Sequence, residues 1–248
     1  MHTDDETERQ NHIQMLDEVV FHLQHDVNVA DTMIQGSQGV IDMLLRNPER
    51  DPDGSKKAWY QESIRRARSH KSDLLNILLT VRTDGYPPYN PEPIGLLRAV
   101  QEAVTTCAGM LEMEHIKLDV DYTRETADSM RFMGEPVRMR TVMMNLFSNM
   151  RRALAKTEAP EIRLGVYDLR QYDPASDMGR VVMGNNGPRL PFDDLEDAFR
   201  PYISGSGSKG VGLTICRDII QERFGGRIYA EHPPEGGVTF YIDLPLCK

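Results

Sequence analysis

The sequence lacks paired metal-ligating cysteines and long apolar runs. Its three cysteines, Cys107, Cys216 and Cys247, are widely spaced and odd in number. This argues against a C-x-x-C metal site and favours three unlinked thiols in a reducing compartment. No run of about 18 apolar residues occurs, so no membrane span is predicted. The acidic N-terminus MHTDDETERQ is unlike a signal peptide. We therefore expect a cytoplasmic protein.

An excess of positive charge is also missing. Lysine and arginine number 29 against 38 aspartates and glutamates, which gives a formal net charge of -9. Because phosphate binding needs a basic surface, nucleic acid is not expected to be the main partner. With 248 residues, 40% of them hydrophobic, the chain can form one large domain or two small ones, each with a core.

The first 83 residues predict two long helices. The first carries apolar residues at alternating steps of three and four, an a/d heptad seam. A turn is predicted at 46–55 (RNPERDPDGS), and the second helix at 56–82. Because two such helices cannot bury an apolar stripe alone, we expect a homodimer whose hairpins form a four-helix bundle. The seam comprises Ile13, Leu16, Val20, Leu23, Val27, Ala30 and Ile34.

A linker and a change of pattern follow. Residues 83–93 (TDGYPPYNPEP) hold four prolines and predict a boundary between domains at 1–86 and 87–248. The fold class is therefore a helical hairpin followed by an α/β sandwich. Helices are expected at 95–113, 137–155 and 212–224, and strands at Lys117–Tyr122, 161–167, 180–183, 227–230 and 238–244.

His25 and Asp26 are the first candidate reactive pair. In the heptad register His25 takes position f and Asp26 position g, so both are expected on the surface of the first helix. An adjacent carboxylate can orient an imidazole, raise its basicity and accept its proton during nucleophilic attack. His22, on the same helix, has no following acid. A simply solvated histidine is the plain alternative.

Three further motifs occur in order: 138–153 (RMRTVMMNLFSNMRRA), 183–191 (MGNNGPRLP) and 209–215 (KGVGLTI). Together with the hairpin and its histidine–acid pair, they resemble the core of a two-component sensor histidine kinase. The resemblance covers nearly the whole chain. It implies a dimerisation and phosphoacceptor hairpin, with His25 as the phosphoacceptor and Asp26 as its base or orienter. A GHKL-type ATP-binding sandwich would follow.

The resemblance also implies a nucleotide site. Asn149 would bind the Mg²⁺ of ATP through its amide oxygen, and Asn145 lies one helical turn away on the same face. Arg152 occupies the position at which a basic residue meets phosphate. Gly210 and Gly212 would let backbone amides approach phosphate at a helix start. ATP and Mg²⁺ are therefore expected as cofactors if this pocket functions.

The glycine box around Gly187 departs from the family pattern of Asp-x-Gly-x-Gly. Asn185 replaces the aspartate that accepts a hydrogen bond from the adenine amino group, and Arg189 replaces the second glycine. Asparagine keeps one acceptor oxygen but loses the charge. A lost charge-assisted hydrogen bond costs about 1.5–3 kcal/mol, or about one to two decades of affinity. Arg189 could obstruct the pocket or bind phosphate. This degenerate box resembles that of dimeric histidine phosphotransferases.

Three functions follow. The first is a phosphotransfer protein that carries phosphohistidine on His25, exchanges it with a response regulator aspartate and has impaired ATP use. The second is an active cytosolic autokinase whose input comes from a separate sensor or upstream kinase. The third is a non-enzymatic scaffold that sequesters a response regulator or kinase, with Val29 and Met33 as an exposed docking patch. All three predict the homodimer and a receiver-domain partner.

Overall fold

The computed structural model describes residues 2–84, 90–122, 130–200 and 212–247. In the first helix it describes the side chains of residue 20 and of residues 23 onward, and in the second helix those of residues up to 71. The hairpin consists of α1 (His2–Arg46) and α2 (Ser55–Asp84). Asp51 in the turn accepts the backbone N–H groups of Lys56 and Lys57 at 3.0 and 2.9 Å. These bonds satisfy two donors that the start of α2 would otherwise leave without partners.

The rest of the chain is a mixed α/β unit, as the sequence predicts. Its helices are α3 (Leu96–Met113), α4 (Pro136–Leu154) and α5 (Gly212–Asp218), the last continuing as a π-helical turn over Ile219–Arg223. The strands are β1 (Glu92–Gly95), β2 (Lys117–Tyr122), β3 (Arg131–Gly134), β4 (Glu161–Asp168), β5 (Met178–Asn185), β6 (Arg227–Glu231) and β7 (Val238–Pro245).

Five strands form the main sheet in the order β2-β4-β5-β7-β6. The β2–β4 pair is parallel and the other neighbours are antiparallel. Alternating apolar residues, such as Ile162 and Leu164 on β4, are buried against the helices. The strand at Lys117–Tyr122 lies at the edge of the sheet, where its alternating pattern placed it. Helices on one face and solvent on the other give a two-layer arrangement.

The structure contains a second, two-stranded sheet that the sequence does not predict. Strand β1 pairs with β3 in antiparallel register, with Pro93 opposite Met133. Two of the residues predicted as linker, Glu92 and Pro93, therefore belong to a strand. The miss has a simple cause, since four-residue strands carry almost no periodic signal.

The hairpin packs directly on the α/β unit. On α1, Val29 is 5% exposed and Met33 is fully buried, and both share a hydrophobic cluster with α3 and α4. The expectation of an exposed docking patch at Val29 and Met33 is therefore wrong. Val29 and Met33 each lie one residue before a predicted seam position, so the face of α1 that packs on the α/β unit is rotated from the seam. The seam residues Val27 and Ile34 are half-buried. The α/β unit thus covers one face of α1 and leaves the seam partly open.

An ion pair closes the middle of the hairpin. The Lys71 ammonium on α2 lies 2.7 and 2.8 Å from the two carboxylate oxygens of Asp31 on α1. Among the helices that the structure describes, none combines the length and apolar character needed to cross a bilayer.

Candidate active site

His25 and Asp26 lie where α1 crosses α4. The His25 side chain keeps 27% of its surface accessible, and its Nδ1 lies 3.3 Å from Asp26 Oδ1. An ionised carboxylate only accepts hydrogen bonds, so this contact favours the tautomer with the proton on Nδ1. The Nε2 lone pair is then left unprotonated.

Asp26 is buried, contrary to the expectation of a surface position. It is 5% exposed, and its Oδ1 accepts a hydrogen bond of 3.1 Å from Asn145 Nδ2 on α4. A heptad register describes packing between hairpins, and it could not anticipate that the α/β unit covers position g. On α5, burial raises the pKa of the Cys216 thiol, and the nearby Asp26 carboxylate adds to the effect.

Asn145, Asn149 and Gly212 come together as the motifs imply. A Cβ placed on Gly212 would lie 3.4 Å from Asn145 Oδ1 and 3.7 Å from Asn149 Nδ2. The missing side chain leaves room beside the two amides at the start of α5. The histidine–acid pair on α1 and this amide cradle therefore meet through Asn145.

Arg152 follows on the same helix and is half-buried. Its Nη2 lies 3.4 Å from Ser148 Oγ, and within the described residues it forms no ion pair with a carboxylate. Burial and the neighbouring Arg151 lower the pKa of its guanidinium from the ordinary value. A half-buried cation without a carboxylate partner is suited to bind an anion.

Asn185 ends β5 and is 8% exposed. Its Oδ1 accepts the backbone N–H of Gly187 at 2.9 Å, which fixes the orientation of the side-chain amide. Its register partners are Ile162 on β4 and Val238 on β7. The Asn185 amide therefore lies among apolar side chains, where an unmatched hydrogen bond is costly.

The following turn is held by Asn186 and leaves Arg189 outside. Asn186 accepts the Glu161 N–H at 2.8 Å and donates to the Ala159 carbonyl at 2.9 Å. Arg189 is exposed, and among the described residues the non-glycine positions with positive φ are His115 and Ala159. The structure therefore gives Arg189 no backbone strain and does not bury its side chain in a pocket.

Gly210 and the loop that precedes α5 lie outside the described residues. On either side of this gap, Phe199 is fully buried and its carbonyl accepts the Thr214 hydroxyl at 3.0 Å. This bond ties the two ends of the loop together. Thr214 was not singled out from sequence, because a threonine one turn into a helix has no distinctive pattern.

Comparisons with known proteins identify this arrangement. Residues 134–248 match the family described as histidine kinase-, DNA gyrase B-, and HSP90-like ATPase. The adaptive-response sensory kinase SasA of Prochlorococcus marinus (strain MIT 9313) is 30% identical over 200 residues, which cover 76% of this chain and 50% of that protein. The chain has the core of a two-component sensor histidine kinase.

Solved histidine kinases agree with this assignment. The nucleotide-free catalytic domain of ThkA is 26% identical, with a TM-score of 0.53, over 63% of this chain and 98% of that one. ThkA in complex with the response regulator protein TrrA matches 99% of this chain and 66% of that one, at 22% identity and a TM-score of 0.54. The latter likeness concerns the fold alone. This histidine kinase core spans half the length of its curated relative SasA.

Proposed function

We propose that this chain is an ATP-dependent histidine autokinase that phosphorylates His25 and passes the phosphoryl group to an aspartate of a response regulator. The observation that carries the proposal is the hydrogen bond between Asn145 and Asp26. It links the phosphoacceptor pair on α1 to the helix that holds the nucleotide-binding amides. Impaired ATP use, favoured by the sequence alone, becomes the second candidate.

The reaction at His25 follows from its contact with Asp26. With the proton on Nδ1, Nε2 attacks the γ-phosphorus, the Nε2–P bond forms and the bond to the β,γ-bridging oxygen breaks, releasing ADP. The ring becomes cationic, and the nearby carboxylate of Asp26 stabilises it and accepts the Nδ1 proton. Asn145 holds that carboxylate in place and is a positioning residue.

Mg²⁺ and ATP fit the residues at the start of α5. The space beside Gly212 is one that a Cβ would fill, and Asn149 offers an amide oxygen to the metal. Among the described residues, no group of three His, Cys, Asp or Glu side chains could hold a metal alone. That suits Mg²⁺, which binds through few protein ligands and substrate phosphates. When bound it would neutralise phosphate charge, and Arg152 would contact the phosphates.

The proposed partners are a receiver domain and a second copy of the chain. The likeness to ThkA, which has been solved with a response regulator, supports the first. The half-buried seam residues Val20, Leu23, Val27 and Ile34 support the second, because the α/β unit covers the other face of α1.

The second candidate is a phosphotransferase that takes its phosphoryl group from an aspartyl phosphate and uses ATP poorly. Asn185 supports it, because its only side-chain oxygen already accepts the Gly187 N–H. The neutral amide then offers an adenine amino group one remaining lone pair in place of a carboxylate. Every other group of the proposed phosphoryl-transfer site is the same for both candidates.

Incorporation of the γ-phosphoryl of ATP in the presence of Mg²⁺ distinguishes the two. We expect acid-labile label on the native chain and on His22→Ala, and none on His25→Ala. Label on none of the three chains, combined with transfer from a phosphorylated receiver domain onto His25, would favour the phosphotransferase. Label retained by His25→Ala would overturn both.

A further inference from the structure

The backbones of α1 and α3 touch at two glycines. A Cβ on Gly109 would lie 2.1 Å from Ser37 Cα and 2.3 Å from Ser37 N, and one on Gly36 would lie 2.6 Å from Met110 Cα. Real Cβ contacts essentially never fall below 3.0 Å. The two helices can approach this closely only because both positions lack a side chain. Neither glycine has a φ in the left-handed region, so the contact and not the backbone conformation requires them.

Buried hydroxyl groups lock the same crossing. Ser63 on α2 donates to the Thr106 carbonyl on α3 at 2.9 Å. Ser63 Oγ also lies 2.7 Å from Ser37 Oγ on α1. Since the Ser63 proton is used on Thr106, Ser37 donates to Ser63. The bonds join all three helices, and Ser37, Ser63 and Thr106 are fully buried.

We propose that the contact between α1 and α3 at Gly36 and Gly109 is a positioning contact, and that it sets the distance between the His25 ring and the bound nucleotide. Gly36 follows His25 by eleven residues on one continuous helix, a distance of about 16 Å at the helical rise. The hydrogen bond between Asp26 and Asn145 is a second contact near the histidine. Two separated contacts fix the direction of a rigid helix over the α/β unit. The inference rests on the autokinase function proposed above.

Added volume at the crossing would act on phosphoryl transfer and spare nucleotide binding. A methyl group at Gly36 or Gly109 meets backbone atoms, which cannot rotate away, so the helices must separate. The nucleotide-binding residues on α4 and α5 lie within the α/β unit and keep their mutual geometry. A misplacement of about 1 Å between reacting groups can cost about 100-fold in rate.

Gly39 offers a matched control on the same helix. The three atoms nearest to a Cβ there all belong to the side chain of Met113, with its Sδ and terminal methyl at 3.1 Å, and that flexible end can move. Alanine is a better helix former than glycine at all three positions. A loss of function in Gly36→Ala or Gly109→Ala therefore cannot come from a weakened helix.

The experiment measures three quantities on the full chain and its Gly36→Ala, Gly109→Ala and Gly39→Ala variants. They are the rate of His25 labelling at saturating ATP, the dissociation constant of ATP, and the radius of gyration from small-angle scattering. We expect Gly36→Ala and Gly109→Ala to lower the rate at least about ten-fold, with ATP affinity within about two-fold. The radius of gyration should rise. Gly39→Ala should match the native chain.

The outcomes separate this inference from the function beneath it. Equal labelling rates in the native chain and all three variants would overturn the positioning role and leave the autokinase intact. A larger radius of gyration with an unchanged rate of His25 labelling would show that the crossing is only a structural contact, which would also overturn its positioning role. A native chain that takes no label from ATP would overturn both proposals.

Discussion

Asn145 on α4 donates its side-chain amide to the carboxylate of Asp26 on α1, at 3.1 Å and almost out of contact with water. The two residues are 119 positions apart in the chain. The bond leaves the same carboxylate oxygen within 3.3 Å of the His25 ring. A buried acid held by an amide and facing an imidazole has little freedom to turn away.

Replacing Asp26 by asparagine tests its role as proton acceptor. The variant keeps the side-chain shape but cannot take up the Nδ1 proton of His25. We expect the rate of ATP-dependent labelling to fall by about 100- to 10,000-fold, with ATP affinity nearly unchanged. Single-turnover labelling and equilibrium nucleotide binding measure the two quantities. Asp31→Asn, which removes a half-exposed ion pair with Lys71, serves as the control and should label at close to the native rate.

Arg152 and Arg151 are adjacent, but they differ in their partners. Arg151 is paired with Glu114 at 2.6 Å, whereas Arg152 contacts the Ser148 hydroxyl. If Arg152 binds phosphate, Arg152→Ala should weaken ATP binding by about ten-fold or more, since a charge-assisted hydrogen bond contributes about 1.5–3 kcal/mol. Arg151→Ala should change it little. Titration calorimetry with ATP compares them, and equal effects would refute the assignment to Arg152.

Asn185→Asp introduces an ionised acceptor at the end of β5. One carboxylate oxygen can still accept the Gly187 N–H, so the turn should keep its geometry. The second oxygen would accept from the adenine amino group, and we expect ATP to bind about 10- to 100-fold more tightly. The native chain is the reference in the same titration. An affinity that stays constant or falls would mean that this side chain does not contact the base.

His70 makes the folded state sensitive to acid. It is 1% exposed on α2, its Nδ1 has no hydrogen-bond partner among the described residues, and burial together with Arg140 lowers its pKa to about 3. In the unfolded chain His70 has its ordinary pKa near 6.5, so below that pH the unfolded chain binds a proton on His70 that the folded chain does not bind. Stability is therefore complete above about pH 6.5 and falls below it, by about 2 kcal/mol at pH 5.

The measurement is the free energy of unfolding in urea as a function of pH, for the native chain and His70→Leu. Leucine removes the titrating group and the unpaired nitrogen. We expect the variant to lose about 2 kcal/mol less than the native chain between about pH 7 and pH 5. Parallel pH dependences in the two chains would show that His70 does not carry the effect.

The sequence predicts the individual elements and motifs better than it predicts how they are placed relative to one another. Periodicity located β2, β4 and β7 to within one residue at either end, because apolar residues alternate along them, whereas the short apolar run at 180–183 left β5 two residues short at each end. The motifs likewise identified Asn145, Asn149 and Gly212 as neighbours. The strand positions and the common face of Asn145 and Asn149 follow from local spacing in the chain, whereas the meeting of Gly212 with these two asparagines was implied only by the family resemblance.

The contacts between the hairpin and the α/β unit could not be predicted in the same way. Whether Asp26 is exposed depends on which surface covers α1, and a heptad pattern does not contain that information. Gly109 carried one weak signal, a glycine inside an apolar helical pattern, which often marks close packing. Nothing local in the sequence relates Gly109 to Gly36, its partner across the contact.

The hairpin and the sheet share one hydrophobic cluster, in which Ala30 and Met33 of α1 join Phe132, Phe147 and Phe199 of the α/β unit. Separating the two units would expose part of this cluster to water and so raise the heat capacity of the chain. Apolar association of this kind weakens on cooling as well as at high temperature. A change of temperature would therefore shift the equilibrium between the joined and separated forms of the two units. The joined form is then most stable at one particular temperature and less stable above and below it.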